Sequence, residues 1–440
     1  MMFTQAYEKY YHIQTSPMTE KLLQYIWQFQ YLNNRNLLTN RGETVQVIFA
    51  GNINSNQGPD FLNAKIRTGN TTWAGNIEIH VKASEWEAHQ HSSDPNYRNI
   101  ILHVVWQNDM ADTLPFPTLE LQPHVSSLLL NRYEELMQSA QFIPCQQHIG
   151  NVPALTFTAW KERLLVERLQ KRAVHIEAML QKNNQHWEEV FWWMLARNFG
   201  MKINMDAFEQ IAQSIPINIL AKHKNQIHQL EALLMGQAAM LDKIFEDDYP
   251  NLLRREYQFL QKKYSLRKAH APIYFLRMRP ANFPSIRLAQ LAMLVHQSHH
   301  LFSLVKEGSN LKELQDSLNV TANDYWHYHY QFDEATAFKP KNLGEQMIQN
   351  ICINTIVPVL YAYGYLTQQQ AYISKALLWQ EQLAAEKNAI TRGFQLLGVA
   401  NKSSFDSQAL IQLKNEYCNY KHCLQCAIGS QVLKMNMGAM

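Results

Sequence analysis

The sequence predicts an α+β protein with an α/β domain at residues 1–127, built on a mixed sheet flanked by helices, and a large all-helical domain at residues 128–440. Three observations support this. Residues 43–125 alternate apolar and polar positions, as strands do. After residue 128 the apolar positions recur at helical spacing. The charge also changes sign, since residues 1–150 hold 9 Lys and Arg against 13 Asp and Glu, and the rest hold 31 against 24.

The composition is that of a globular protein. The 440 residues are 46% hydrophobic and 18% charged, with a net charge of +3. No apolar run approaches the roughly 18 residues of a membrane span, and the N-terminus lacks the apolar segment of a signal peptide. We therefore expect a cytoplasmic protein with no membrane partner. The sequence leaves the oligomeric state open.

The N-terminal elements are justified in order along the chain. Strands with period-two alternation flank Gly69-Asn70, a dipeptide typical of hairpin turns. Ser84 is a good helix cap, and a near-continuous apolar run from residue 100 is typical of a strand covered on both faces. The predicted elements are a helix at 19–33, strands at 43–49, 60–68 and 71–82, a helix at 84–89, and strands at 100–107 and 118–121.

Helical apolar spacing continues through the remainder of the chain, without an internal repeat of fixed period, which disfavours a solenoid. The predicted helices lie at 155–181, 187–199, 205–214, 225–245, 253–264, 287–300, 311–318, 345–363, 368–385, 389–397 and 407–420.

Two acidic residues at the predicted hairpin form the strongest candidate site. Side chains alternate along a strand, so Glu78, His80 and Lys82 share one face. If Asp60 begins the antiparallel partner strand, its carboxylate approaches that of Glu78. Paired carboxylates bind Mg²⁺ or Mn²⁺, and such an ion activates water and neutralises a phosphodiester. In the competing interpretation, Pro59-Asp60 only starts a turn and Glu78 is an ordinary surface residue.

Histidines follow this hairpin. His89, His91 and Asp94 are ligand types at metal-like spacing, but we expect solvated side chains rather than a zinc site. A further possibility is that His89 and His91 flank the acidic pair and contact a substrate phosphate. His103, within an apolar run, is predicted to be a core histidine.

A cysteine cluster near the C-terminus suggests a second metal site. Cys418, Cys423 and Cys426 provide three closely spaced thiols, and His422, Cys145 or Cys352 could supply a fourth ligand. Zinc suits three or four thiolates, and four thiolates also suit an iron–sulfur cluster. The alternative is buried apolar thiols, which we expect for Cys352 in any case.

Basic and aromatic residues alternate in the helical domain. The cations could hold phosphates while the aromatic rings of Tyr257, Phe259, Tyr264, Tyr274 and Phe275 stack on bases. The alternative, a solvated helix face whose aromatic residues fill the core, is the more usual explanation of such a pattern. Motifs for dinucleotides, nucleoside triphosphates and serine hydrolases are absent, so no nucleotide cofactor is expected. The candidate substrate-binding cations are Arg254, Arg255, Lys262, Lys263, Arg277, Arg279 and Arg287.

The acidic pair resembles the signature of the PD-(D/E)XK nuclease superfamily. Pro59-Asp60 matches its first half and Glu78 its second acid, while His80 stands where the superfamily has Lys, with Lys82 two residues further on. The resemblance implies a restriction-endonuclease-like core, a catalytic Mg²⁺ or Mn²⁺, and a further acid from the preceding helix, for which Glu20 is the candidate. The replacement of Lys by His puts the activity in doubt.

Essentially the whole chain also resembles the bacterial family labelled domain of unknown function 2851, for which no reaction is established. The expected function is a metal-dependent nuclease or phosphodiesterase, a hydrolase. The alternative is a non-catalytic nucleic-acid-binding or scaffold protein with a degenerate core and a structural metal site. The segments that carry this resemblance are 22–27, 58–64, 73–80, 97–106, 279–291 and 418–429.

Overall fold

A computed structural model of the chain describes residues 18–111, 114–269, 272–298, 300–308 and 310–435. Within them the chain forms two compact units. One contains the described residues up to Trp160 together with those from Leu413, and the other runs from Lys161 to Gln412. The first, the sheet unit, therefore adds residues 128–160 and a C-terminal segment to the predicted N-terminal domain. We call the second the helical unit.

The sheet unit is built on a mixed six-stranded sheet in the order β1-β3-β4-β5-β6, with β2 beside β3. β1, β3 and β4 are antiparallel neighbours, whereas β4, β5 and β6 are parallel. The strands are β1 (Val45–Phe49), β2 (Asn52–Ile53), β3 (Phe61–Thr68), β4 (Thr71–Lys82), β5 (Ile100–Gln107) and β6 (Thr118–Glu120). The mixed sheet was predicted, but β2 was not, because its two residues fall within a polar stretch rich in turn formers.

Helix α1 covers one face of this sheet. Thr19 caps the helix by accepting a hydrogen bond from the Leu22 amide. Its buried residues Leu23 and Trp27 pack against Ile77 and Ile79 of β4 in the core of the unit. The intervening residues of β4 therefore face the other side of the sheet. The helices of this unit are α1 (Glu20–Phe29), α2 (Glu85–Ala88), α3 (Ser127–Gln138) and α18 (Ala427–Lys434).

The remaining elements are helical. Two π-helical segments, Cys352–Ile356 and Leu413–Cys418, interrupt the regular helices. The helices are α4 (Ala154–Lys182), α5 (Trp187–Phe199), α6 (Met201–Ser214), α7 (Ile217–His223), α8 (Ile227–Gln237), α9 (Asp248–Tyr264), α10 (Pro284–Gln297), α11 (Leu301–Glu307), α12 (Leu311–Ser317), α13 (Glu345–Ile351), α14 (Val357–Leu366), α15 (Gln370–Gln382), α16 (Ala389–Leu396) and α17 (Ser404–Gln412).

Helix boundaries are where the sequence-based prediction departs most from the structure. The helix predicted at 225–245 ends at Gln237, since Ala239 adopts a left-handed conformation with φ of 55°. Helices α3, α7, α11 and α18 were not predicted, whereas α12 and α16, which are as short as α7 and α18, were. Among the described residues, no helix combines the length and apolar character needed to cross a membrane.

Candidate metal centre

The acidic pair lies where β3 and β4 separate. Their pairing ends at Phe61 and Ile77, so the Ile79 amide has no partner on β3. Asp60 Oδ2 accepts a hydrogen bond from that amide at 3.1 Å. In return, the Asp60 amide donates to Glu78 Oε2 at 3.1 Å. The backbone of each strand thus fixes the carboxylate of the other, and the two side chains lie side by side.

Glu20 completes a group of three carboxylates. Gln24 Nε2 donates to Glu20 Oε1 and to Asp60 Oδ1, each at 2.9 Å, and so links α1 to the start of β3. Gln24 therefore helps to position two of the acids, Glu20 and Asp60. Nothing in its sequence context indicated this role. That Glu20 contributes to the site remains a prediction. Its carboxylate accepts a hydrogen bond from the same amide group, that of Gln24, as the carboxylate of Asp60.

Electrostatics at the acids favour the binding of a cation. Burial, followed by repulsion from Glu20, raises the pKa of Asp60 to about 6. Burial, followed by repulsion from Asp60, raises the pKa of Glu78 to about 9. No Lys or Arg side chain of the described residues forms an ion pair with either acid. A bound divalent ion would relieve this repulsion.

Three histidines converge beside Glu78. Ligand nitrogens of His80, His89 and His91 all lie within 4.8 Å of one another. His80 Nε2 and His91 Nε2 lie 3.6 Å and 3.4 Å from Glu78 Oε1. His80 is buried, His91 is partly buried and His89 is exposed, so the cluster is open to solvent on the side of His89. We call Glu78 and these histidines the His–Glu cluster.

The turn after β4 returns His89 and His91 to the sheet. Glu85 Oε2 accepts the amides of Val81 and Lys82, which ends β4 and starts α2. Trp86, 2% exposed, anchors the turn, since its ring contacts the rings of His91 and His103 at 5.2 Å and 5.5 Å between centroids. Gln90 reverses the chain with φ of 58°. The sequence indicated the ligand types but not this reversal, and for that reason solvated side chains were expected.

His103 supports the cluster from the neighbouring strand. It lies opposite Glu78 in the parallel register, and its Nε2 is 2.9 Å from His80 Nδ1. Burial lowers the pKa of His80 to about 3 and that of His103 to about 4, so both rings are neutral at pH 7. When His80 donates through Nδ1, its Nε2 keeps a lone pair facing the other histidines. His103 is fully buried, as the sequence predicted, and it also contacts His80.

This donor set suits a transition metal. One carboxylate and three imidazoles match the ligand preferences of Mn²⁺, Fe²⁺ and Zn²⁺ better than those of Mg²⁺, which prefers oxygen. His91 stacks on Tyr97 at 4.0 Å, which holds its ring in place. His91 Nε2 is buried and has no hydrogen-bond partner, so it is available as a ligand.

A family model described as "Protein of unknown function (DUF2851)" matches residues 20–389. The chain belongs to this family. The resemblance seen in the sequence is thereby confirmed for residues 20–389, but not for the segment 418–429. The match includes the acids and the whole His–Glu cluster, whereas Cys418, Cys423 and Cys426 lie beyond the matched region of the DUF2851 chain. No curated protein and no solved structure matches the chain.

Two other residues near the hairpin are not brought to the cluster. Lys82 is exposed, and its charge acts on Asp109, where it helps to lower the pKa of that carboxyl after the hydrogen bonds from Ser84. Asp94 caps the following turn by accepting the Asn96 amide at 2.9 Å. The predicted face of β4 therefore contributes Glu78 and His80 to the cluster but not Lys82.

Four of the five cysteines gather in the sheet unit. Cys145, Cys423 and Cys426 are buried and Cys418 is partly buried, and none forms a disulfide. Burial raises the pKa of Cys145 and of Cys423 to about 12, and neighbouring thiols of this set add to both shifts. Burial and the three other thiols also raise the pKa of Cys418.

The remaining candidate ligands of the cysteine cluster lie elsewhere. His422 is exposed, with Nδ1 3.0 Å from the Glu416 carbonyl oxygen. Cys352 is buried in the core of the helical unit, as predicted. Cys145 is the candidate fourth ligand whose thiol interacts electrostatically with the C-terminal cysteines, but the sulfur atoms do not form one of the close ligand groups found among the described residues.

The predicted basic residues occupy two different environments. Lys263 lies 5.7 Å from the centre of the exposed Phe259 ring, whereas Tyr257 is buried in the core. Arg287 is only 6% exposed. The cations that are exposed or partly exposed are Arg254, Arg255, Lys262, Lys263, Arg277 and Arg279.

Proposed function

We propose that the protein is a metal-dependent phosphodiesterase that cleaves nucleic acid, with its ion bound at Asp60 and the His–Glu cluster. One observation carries this proposal: the carboxyl groups of the partly buried Asp60 and the buried Glu78, without a cationic partner, lie beside histidines at a solvent-open point of the sheet. Such a site attracts a divalent ion, whose chemistry is to activate water and to stabilise negative charge on phosphate.

The protein's own residues would divide the work between them. Glu78, with its pKa raised to about 9, holds a proton at neutral pH until a cation binds. A bound ion would displace this proton, and Asp60 and Glu78 would then supply negative charge. His80 supplies a nitrogen fixed by His103. His89 and His91 lie toward solvent, where a phosphodiester could approach. Because the pKa of His80 is lowered to about 3, its ring is neutral and serves as a ligand rather than as a cation replacing the expected Lys. We therefore favour Mn²⁺ over Mg²⁺.

The order of elements supports the nuclease-like interpretation. Helix α1, the antiparallel strands β1, β3 and β4, helix α2 and the parallel strand β5 follow one another as that resemblance implies. Asp60 precedes β3, and Glu78 lies within β4. The exposed cations beside Phe259 and Tyr274 support a nucleic-acid partner. We infer that the protein acts in the cytoplasm.

The direct test is cleavage by the intact chain, stripped of metal with a chelator and then supplied with Mn²⁺, Mg²⁺ or Zn²⁺. Single- and double-stranded DNA and RNA serve as substrates. We expect cleavage that depends on metal and is abolished in Asp60→Asn. Asp109→Asn is the matched control, because Asp109 is an exposed acid of the same unit whose carboxylate binds Ser84. Absence of cleavage with every polymer and metal would contradict the proposal.

A second candidate is a nucleic-acid-binding or scaffold protein without catalysis. The observation that favours it is the position of Lys82, whose charge lies toward Asp109 rather than the acids, so the site lacks the cation of the resembled nucleases. It predicts salt-dependent binding that survives Asp60→Asn but weakens in the double variant Arg254→Gln, Arg255→Gln. In this case, too, the four cysteines would hold a structural zinc ion or an iron–sulfur cluster.

A further inference from the structure

The helical unit contains a large cleft that the proposed hydrolysis does not use. Its volume is about 970 Å³, and it lies between α4, α5, α6, the start of α10 and the start of α13. Part of its wall comes from the π-helical segment Cys352–Ile356, through Asn354 and Thr355. π-helical turns are rare and occur frequently at functional sites.

A buried guanidinium lines this cleft without an acidic partner. Arg287 donates through Nη1 to Gln290 Oε1 at 2.9 Å and through Nη2 to Asn282 Oδ1 at 2.6 Å. Its Nε is buried and has no acceptor. Burial lowers the pKa of Arg287 to about 10, which still leaves it charged at neutral pH. A buried positive charge surrounded by neutral groups favours an anion nearby.

Arg172 adds a second charge of the same kind. Its Nη2 donates to Asn354 Oδ1 at 2.8 Å, and its Nη1 donates to the Ile353 carbonyl at 3.4 Å. Neither Arg172 nor Arg287 forms an ion pair with a carboxylate among the described residues. Arg197, also in the wall, differs because Asp206 and Glu209 neutralise it at 2.6 Å each.

The rest of the wall suits a flat organic group. Asn198 donates to Thr355 Oγ1 at 3.0 Å, but its own Oδ1 is buried and has no donor. Thioether side chains adapt to the shape of a ligand and contact aromatic rings favourably. Glu345, an exposed residue, is the one acid among the described lining residues. Four methionines line the cleft: Met194, Met201, Met205 and Met347.

We propose that this cleft binds a nucleoside monophosphate, either free or as the phosphorylated end of a strand. The phosphate would bind on the side of the guanidiniums, since Arg forms charge-assisted bonds with phosphate oxygens. The base would pack among the methionines. Gly-rich phosphate loops are absent from the sequence, but a site built from arginines does not need one. The inference is independent of the proposed hydrolysis.

Calorimetric titration of the intact chain in EDTA tests the inference. The ligands are the four common nucleoside monophosphates, their nucleosides, inorganic phosphate, and tetranucleotides with and without a 5′-phosphate. We expect saturable binding of at least one nucleotide that exceeds the binding of its nucleoside and of phosphate. Arg172→Gln should weaken it at least about tenfold. Lys171→Gln, at an exposed neighbour outside the cleft, should leave it unchanged.

Lys202→Glu provides a second test in case Arg172→Gln fails to fold. Lys202 is exposed at the cleft, so reversing its charge should weaken nucleotide binding without disturbing the core. A thermal melt of each variant accompanies the titrations. Preference for the phosphorylated tetranucleotide assigns the cleft to strand ends, and preference for the mononucleotide assigns it to a free ligand. Absence of saturable binding, equal binding of nucleoside and nucleotide, or wild-type binding by both cleft variants would overturn the inference.

Discussion

Each of the two units buries a glutamate, and the comparison separates a structural acid from a candidate ligand. Glu231 in the helical unit is fully buried, and Tyr249 and Trp326 both donate hydrogen bonds to its carboxylate. Glu78 is 5% exposed, but its neighbours are a backbone amide and two histidine nitrogens that are not hydrogen-bonded to it. Burial of a glutamate therefore does not by itself indicate a ligand. Glu78 differs from Glu231 because its carboxyl oxygens accept fewer hydrogen bonds from the protein and can still bind an ion.

The most direct test of this difference between Glu78 and Glu231 is to replace each of them with glutamine. Glu78→Gln should weaken Mn²⁺ binding more than about a hundredfold, because it removes charge and a ligand oxygen together. Glu231→Gln should leave Mn²⁺ affinity unchanged. Calorimetry or the loss of the free Mn²⁺ spin-resonance signal measures both. Equal affinity in wild type and Glu78→Gln would place the ion elsewhere, and equal losses in both variants would make the effect one of folding.

Glu231 should contribute to the pH dependence of stability in a pH window of its own, below that of Glu78, whose pKa is raised further. Burial raises its pKa from 4.5 to about 7 in the folded state, so the folded protein holds a proton that the unfolded chain has released. Stability from this group is complete below pH 4.5 and is lost as the pH rises through 7, by about 3 kcal/mol in total. Denaturant unfolding of wild type and Glu231→Gln across pH 4 to 9 checks it.

The difference between the two curves isolates Glu231, because the histidines titrate equally in both proteins. The free energy of unfolding of the wild type should fall relative to Glu231→Gln between pH 4.5 and 7, and then remain parallel to it. A constant difference across the range would show that the carboxyl stays ionised in the folded state, stabilised by the two donors.

The cysteines allow a similar comparison, between the four cysteines of the sheet unit and the single Cys352 of the helical unit. Cys145→Ser should remove most of the metal from purified protein, since Cys145 joins three cysteines from a distant segment. Cys352→Ser is the matched control, a buried thiol in the core of the helical unit. Elemental analysis for zinc and iron, with visible absorbance for thiolate–iron bands, distinguishes the two metals. If purified wild-type protein contains no metal, these four cysteines are buried apolar thiols rather than ligands.

The sequence predicted what depends on short-range periodicity. Strand alternation placed Glu78 and His80 on one face, and the Gly69-Asn70 turn brought Asp60 to Glu78. The sequence did not predict features that depend on a reversal of the chain direction or on the register of paired strands. The left-handed Gln90 returns His89 and His91 to the sheet, and the parallel pairing places His103 beside His80. Both arise from tertiary packing around Trp86, which leaves no periodic signal in the sequence.

The smallest expected effect concerns His103, a positioning residue. His103→Leu should weaken Mn²⁺ binding about 10- to 100-fold, because His80 loses the partner that fixes its tautomer. Thermal stability should also fall, by about 1–3 kcal/mol, because the substitution leaves His80 Nδ1 buried without its partner, although leucine itself suits the fully buried site. Calorimetry and a thermal melt on the same sample separate affinity from folding.

Rescue and a matched control decide whether His103 acts through His80. His103→Gln keeps a polar group that can pair with His80 Nδ1 and should recover part of the lost affinity. His223→Leu removes a histidine of the helical unit whose nitrogens lie 2.5 Å from Gln229 Oε1 and 2.9 Å from the Tyr264 hydroxyl. It should lower stability and leave Mn²⁺ affinity unchanged. Unchanged Mn²⁺ affinity in His103→Leu would indicate that His103 is only a core residue, whereas equal losses in His103→Leu and His103→Gln would show that an amide cannot replace the imidazole as the partner of His80.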